Sequence, residues 1–391
     1  MEARKTRMKI KIACNIQPAL HESMTGIGKT TYEITKRLAK DDGIFLEAFS
    51  RSDETEKKVF NLCPDSTRIE LCRTLSSQLY QLLWLFLPIP YRWFFKRQVD
   101  IRLFFNFRVP PGVNAKNATV IYDMVLLAFP ETMSLRTKIL LQLTLRQSVR
   151  RVDRIFTISE FSKREIVKYL DIVPEKIDVI PLGIDHSIYN TNYSNQTIES
   201  TLAKHNISSP YFLFVGTLEP RKNVDLILDA YIDLYRCEPA CPLLVIVGKK
   251  GWNYENIFHK IQTSDLQDKV RFTGYVEEVE IPKFMNGALA FLFPSLYEGF
   301  GLPPLEAMAC GTPVIVSNTS SLPEVVGNAG ILIDPYSVKE LTAAMSRILN
   351  DTIFREELIN LGKIRAQAFT WEKTVAAVYE GCSRLMNTNI L

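Results

Sequence analysis

The stretch Ser295–Ser317, SLYEGFGLPPLEAMACGTPVIVS, decides the reading of this chain. It follows an apolar run, Ala288 to Pro294, that reads as a buried parallel strand, and its GFGLPP segment leads into a helical pattern from Leu305 to Cys310. A glycine-rich turn thus opens a helix. Such a turn presents backbone N–H groups and the positive end of a helix dipole, which suits an anionic group such as a diphosphate. Two glutamates, Glu298 and Glu306, stand in the same stretch with seven residues between them. Carboxylates placed directly against phosphate would be repulsive. They are therefore expected to accept from the hydroxyls of a sugar and a ribose beside it.

Outward from this stretch, the second half repeats one rhythm. Apolar runs at Tyr211 to Gly216, Leu243 to Gly248, Val270 to Gly274, Ala288 to Pro294, Val314 to Ser317 and Ile331 to Asp334 are separated by helix-length segments. The first half shows runs at Ile10 to Ile16, Thr119 to Tyr122, Ile155 to Ile158 and Val179 to Pro181. This alternation is that of an α/β fold with parallel sheets. At 391 residues the chain suits two domains. Residues 186–210, HSIYNTNYSNQTIESTLAKHNISSP, lose apolar periodicity and mark the linker. The expected domains are 1–190 and 191–370, two Rossmann-like units facing each other across a cleft, with a terminal helix in 371–391. Right-handed crossovers put the ligand loops at the carboxyl ends of the strands.

Composition excludes several classes. Lys and Arg total 47 against 43 Asp and Glu, a formal charge of +4, so the chain is no nucleic-acid polycation. The seven cysteines form no CxxC pair, and with four histidines no zinc-type cluster is visible. No carboxylate cluster of DxD type stands out either, so no metal and no cofactor is expected. Scattered free thiols and an N-terminus without a signal-peptide pattern point to a cytoplasmic protein. Residues 79–107 are strongly apolar, but their longest uncharged run ends at Pro88 and Pro90, too short to span a bilayer. Trp84, Tyr91, Trp93, Phe94 and Phe95 interleave with Arg92, Lys96 and Arg97. That pattern fits helices packed on the first domain's core, or a peripheral contact at the inner face of the cytoplasmic membrane.

Two further loops carry chemistry. TGIGKTTYE, Thr25 to Glu33, lies where a first strand would hand over to a first helix. A Walker A motif would need glycine at Ser23, and a dinucleotide fingerprint would need it at Thr31. What remains is a glycine turn, Gly26 to Gly28, able to approach a phosphate or an acceptor closely. GTLEPRKN places Arg221 and Lys222 just after a strand, where they would stabilise the charge of a leaving nucleoside diphosphate.

The Ser295–Ser317 stretch resembles the signature of the retaining glycosyltransferases of family 4, which have the GT-B fold. FTISEFSKREI, VIPLGID, FLFVGTLEPRKNVDLILDAY, VRFTGYV and GILIDPYSVKELTAAM are similar to that family's blocks, in its order. The resemblance implies that Glu298 contacts the donor sugar and Glu306 the nucleotide ribose. It implies catalytic roles for Glu298, Arg221 and Lys222. The donor site it implies comprises Gly26, Gly28, Arg221, Lys222, Val276, Gly299, Phe300, Gly301, Leu302 and Glu306, and the final helix is expected to return to the first domain. Two positions depart from the family. Thr217 replaces an arginine, and Tyr122–Asp123 replaces a His-Asp pair. A tyrosine is a poor proton shuttle at neutral pH, which argues against a general base there.

The expectation is a retaining, metal-independent transferase that moves mannose from GDP-mannose to a saccharide acceptor linked to polyprenyl diphosphate, in cell-surface polysaccharide assembly. A UDP-sugar donor is the alternative. A P-loop hydrolase would instead need Asp123 to hold magnesium, and a nucleotide-sugar sensor would tolerate loss of Glu298.

Overall fold

A computed structural model describes residues 10–21, 26–129, 144–208, 210–252, 255–264 and 266–387. Ser23 and Thr25 of the first glycine loop, and the N-terminal residues 1–9, lie outside them. The chain divides into two compact units, Met1–Leu182 with Trp371–Leu391, and Gly183–Thr370.

The first unit is built on a parallel sheet ordered β3-β2-β1-β4-β5-β6-β7. Its strands are β1 (Ile12–Asn15), β2 (Ile44–Phe49), β3 (Ile69–Cys72), β4 (Ile101–Phe104), β5 (Lys116–Val120), β6 (Arg154–Thr157) and β7 (Ile177–Val179). The order reverses between β1 and β4, which opens a crevice at the carboxyl ends of those strands. Strands β2, β3 and β4 were not among the apolar runs. Two of them carry a charge in the core: Glu47 and Arg102 are each 1% exposed and pair at 3.0 Å, Nε to Oε1. Tyr91 OH donates to the second Glu47 oxygen at 2.9 Å, and Arg102 Nη2 donates to the Arg97 carbonyl at 2.7 Å. Neutralised in this way, each charge can occupy a strand that is buried on both faces.

The segment 79–107 supplies much of this core. Tyr91 stacks on Phe95 at 4.6 Å, Phe95 meets Phe49 edge-on at 5.1 Å, and Trp84 is buried beside Tyr80. Of its apolar side chains, Leu79, Leu82, Leu87 and Trp93 remain exposed. Most of the aromatics read as interfacial therefore face inward. Alternation of rings with charges looks the same in a core segment whose charges point out. The final helix, Trp371–Asn387, packs on this unit through Arg37 to Glu372 at 2.9 Å and Thr374 to the Pro181 carbonyl at 2.6 Å.

The second unit has a parallel sheet ordered β10-β9-β8-β11-β12-β13. Its strands are β8 (Tyr211–Val215), β9 (Leu243–Val247), β10 (Val270–Gly274), β11 (Ala290–Phe293), β12 (Val314–Ser317) and β13 (Ile331–Ile333). All six coincide with the apolar runs, because β8, β9, β11 and β12 are almost wholly apolar and buried, and β10 and β13 keep apolar residues at most positions or at both ends of the run. The order reverses between β8 and β11.

The division falls between Leu182 and Gly183 rather than near residue 190. The Asn- and Ser-rich stretch after it is folded into the second unit. Asn286 donates to the Asn190 carbonyl at 2.9 Å, Tyr193 to the Ile188 carbonyl at 2.8 Å, and Ser194 caps the helix Asn195–Ala203. Its polar residues serve as caps and turn ligands, which is why it lacks apolar periodicity.

Candidate functional site

The site of the second unit is assembled at the reversal of its strand order, from the loops that leave β8 and β11. After β8 the chain turns through a 3-10 helix, Pro220–Lys222, to Asn223, whose left-handed backbone (φ 58°) starts the helix Val224–Cys237. Asparagine tolerates this conformation better than most residues. Its side-chain amide donates to the carbonyls of Pro294 at 3.1 Å and Pro335 at 2.7 Å, so it ties together the loops after β8, β11 and β13. The Leu296 amide donates to the Arg221 carbonyl at 2.8 Å.

On this frame the sequence-derived residues Arg221, Lys222 and Glu298 converge. Lys222 Nζ donates to Glu298 Oε1 at 2.7 Å, and Arg221 Nη1 lies 3.0 Å from Glu298 Oε2. Arg221 also donates to Glu219 Oε1 and to the Tyr297 carbonyl, each at 2.6 Å. Lys222 lies over the Phe293 ring, 4.5 Å from its centre. Two cations thus face two carboxylates in a cluster little exposed to solvent. Burial alone would raise the Glu298 carboxyl, but Lys222 and Arg221 outweigh it and bring it down to about 2. Burial pulls Lys222 down, with Glu298 opposing. The Glu298 backbone is fixed as well, its amide donating to Ser320 Oγ at 3.1 Å and its carbonyl accepting from Ser321 at 2.9 Å.

The turn between the two glutamates departs from expectation in one respect. The helix runs Leu302–Ala309 and so begins three residues earlier than its apolar pattern, with Pro303 and Pro304 inside its first turn. Proline is well placed there, but it removes two of the four N–H groups that turn has to offer an anion. Gly301 caps the helix at φ 125°, where a Cβ would stand 2.8 Å from Leu322. Gly299 and Phe300 complete the turn, with Phe300 buried edge-on against Phe369 at 5.9 Å.

Glu306 is 9% exposed. Facing it is Tyr189, whose phenol is pushed well up by burial and then by the neighbouring Glu306 charge and hydrogen bond. The Cys310 thiol is pushed up by burial and by Glu306 in the same way. Tyr189 was missed in the sequence because it lies in the stretch read as linker. Val276, just beyond β10, is buried.

Gly26 and Gly28 belong to the first unit and stand at a helix start; residues 22–25, which lead into it, lie outside the described ones. They fall in the first turn of the helix Gly26–Leu38, and a Cβ at Gly26 would meet nothing within 4 Å, so within this fold no close approach demands glycine there. Tyr122 is buried, which pushes its phenol up and keeps it protonated. Asp123 accepts from the Val125 amide at 3.1 Å at the start of a short helix, Val125–Ala128. Among the described residues no three His, Cys, Asp or Glu side chains converge as a metal cluster, and no helix is long and apolar enough to cross a membrane.

Residues 24–188 match the model of Glycosyltransferase Family 4, and residues 198–365 that of Glycosyl transferases group 1. The chain is 30% identical over 358 residues to O-antigen chain mannosyltransferase B of Escherichia coli, across 89% of this chain and 93% of the relative. It is 31% identical over 241 residues to the longer serotype-specific mannosyltransferase WbdA of Escherichia coli, across 61% of this chain and 30% of that one. Among solved structures, Anabaena HepE in complex with UDP and glucose superposes with a TM-score of 0.73 at 18% identity, over 96% of this chain and 99% of its own. WaaG, a glycosyltransferase involved in lipopolysaccharide biosynthesis, gives 0.68 at 16% identity over 95% and 99%. The chain belongs to the group 1, family 4 glycosyltransferases. It is an enzyme, and its two parallel-sheet units are those of the GT-B fold.

Proposed function

We propose that this glycosyltransferase moves mannose from GDP-mannose to a saccharide acceptor with retention of anomeric configuration. The observation that carries the reading is the Arg221–Lys222–Glu298 cluster at the strand-order reversal of the second unit. In this reading the donor diphosphate draws Lys222 and Arg221 toward itself and releases Glu298 to accept from a sugar hydroxyl. Glu306, positioned by Tyr189, takes the ribose hydroxyls. The anomeric C–O bond to the diphosphate breaks while the acceptor oxygen bonds the same face of that carbon, and the acceptor proton passes to the departing phosphate oxygen. No side-chain base is needed, in keeping with a buried, protonated Tyr122. Charge on the leaving group is assigned to Arg221 and Lys222, with no metal ion taking part.

Mannose is supported by relatives named as mannosyltransferases at 30% and 31% identity. A UDP-sugar is the second reading, favoured by the neighbour solved with UDP-glucose. A polyprenyl-diphosphate-linked acceptor at the inner face of the cytoplasmic membrane fits the outward-facing Leu79, Leu82, Leu87 and Trp93 beside exposed Arg92 and Lys96. A thermal-shift panel of GDP, GDP-mannose, UDP, UDP-glucose and ATP, each with and without EDTA, tests the donor. Stabilisation by GDP and GDP-mannose that survives EDTA supports the reading. Stabilisation by magnesium-ATP alone overturns it, and a response to the uridine ligands alone selects the second.

A further inference from the structure

The first unit has a cavity of its own. Strands β1, β2 and β4 end at Asn15, Phe49 and Phe104, and all three residues line a half-open cavity of about 140 Å³. It lies where β1 neighbours β4, at the reversal of strand order, the position at which open α/β sheets hold ligands. At roughly 10–15 Å³ for each water, it has room for one sugar ring.

Its lining is specific in kind. Tyr80 and Trp84 supply aromatic surface, while Gln17, Gln78, Gln81 and Asn106 supply amides that both donate and accept, a combination suited to ring faces and hydroxyls. Asn15 is locked: its Oδ1 accepts from the Gln17 amide at 3.3 Å and its Nδ2 donates to Tyr91 OH at 3.0 Å, whose own proton goes to Glu47. Arg108 and His21 also line it, and among the described residues no Asp or Glu shares the lining with them. Arg108 Nη1 donates to a neutral partner, Gln81 Oε1, at 2.6 Å, and its Nε is buried with no hydrogen-bond partner. The buried Trp84 Nε1 also has none. A half-buried guanidinium set among neutral amides has no counter-ion among the described residues.

We propose that this cavity binds one sugar residue bearing an anionic substituent, a carboxylate or a phosphate, with Arg108 as its counter-ion. That the bound sugar is the acceptor rests on the transferase reading. The binding itself does not.

Calorimetric titration of the full chain with methyl α-glucuronoside, mannose 6-phosphate and methyl α-mannoside tests it, with GDP and UDP titrated separately. At least one charged sugar is expected to bind about tenfold tighter than the neutral one, and which of the two does so tells carboxylate from phosphate. Arg108→Gln should abolish that preference while leaving nucleotide affinity unchanged, and Lys222→Ala should leave the preference intact. Inorganic phosphate competing against the charged sugar on the unsubstituted chain gives a second reading should Arg108→Gln fail to fold. Equal binding of charged and neutral sugars, no saturable binding of any, or a preference that survives in folded Arg108→Gln each overturns the proposal. Loss of nucleotide binding alone would count against the transferase reading and leave this one standing.

Discussion

Lys222 Nζ lies 2.7 Å from Glu298 Oε1, joining the loop after β8 to the loop after β11. Arg221 takes the other oxygen of the same carboxylate at 3.0 Å. One glutamate therefore engages both cations that a leaving diphosphate would need. Lys222→Ala is expected to weaken GDP by about tenfold or more, because it removes a charge-assisted contact. Glu298→Ala should leave GDP affinity within about threefold while lowering turnover by roughly two orders of magnitude. Calorimetry and initial rates measure the two effects. Small, equal losses in both variants would place the donor elsewhere.

The depressed Glu298 carboxyl makes a statement about acid stability. Its folded value of about 2 lies below the ordinary value of 4.5, so its ionised form stabilises the fold above pH 4.5. That contribution is lost as pH falls from 4.5 toward 2, and is worth on the order of 3 kcal/mol in full. Glu298→Gln should be less stable at neutral pH and show a flatter acid limb over that window, followed by urea unfolding at several pH values.

Tyr189→Phe removes the phenol that faces Glu306. A hydrogen bond to a charged group contributes about 1.5–3 kcal/mol, so nucleotide affinity is expected to fall by about tenfold with turnover at saturation little changed. An unchanged affinity would separate Glu306 from the ribose.

Gly301→Ala meets two obstacles at once, a backbone at φ 125° and a Cβ 2.8 Å from Leu322. The expected cost is about 1–3 kcal/mol, with nucleotide affinity lowered because both glutamates hang from that turn. Denaturant melts and GDP titration read the two parts. Gly26→Ala, with open space around it, should alter neither.

Arg102→Met strands Glu47 in the core and should destabilise the first unit by about 3–5 kcal/mol. The double variant Glu47→Leu with Arg102→Met should recover most of that loss, because neither charge is then left unpaired. A double variant as unstable as the single one would mean that the pair does more than balance its own charges.

How much could be read in advance differs between the units. Every strand of the second unit was legible, since runs such as AFLF and VIVS carry nothing but apolar or small side chains. In the first, IFLEAF and IRLF hide their strand character behind Glu47 and Arg102, which lie 55 residues apart and cancel only in three dimensions. Arg221, Lys222 and Glu298 were found because glycine and proline punctuation marks their loops. Tyr189 was not, since its neighbours are polar residues whose caps and turn bonds look like linker chemistry. The glycines at 26 and 28 were read as a turn at a helix start, and the helix does begin at Gly26, with both glycines in its first turn.

The backbone bridge between Ile184 and Thr370 brings the two ends of the second unit side by side. Topologically, that unit is an insert spliced into its host, an uninterrupted piece of polypeptide whose two ends leave from one spot. A module with such ends can be cut out or exchanged for another without stretching the chain that receives it. The host has no such independence: its own fold is written in two separated pieces and closes only once the final helix has been made. During synthesis, therefore, the second unit can finish folding first, while the first, which carries the Arg108 cavity, waits for the last helix to arrive.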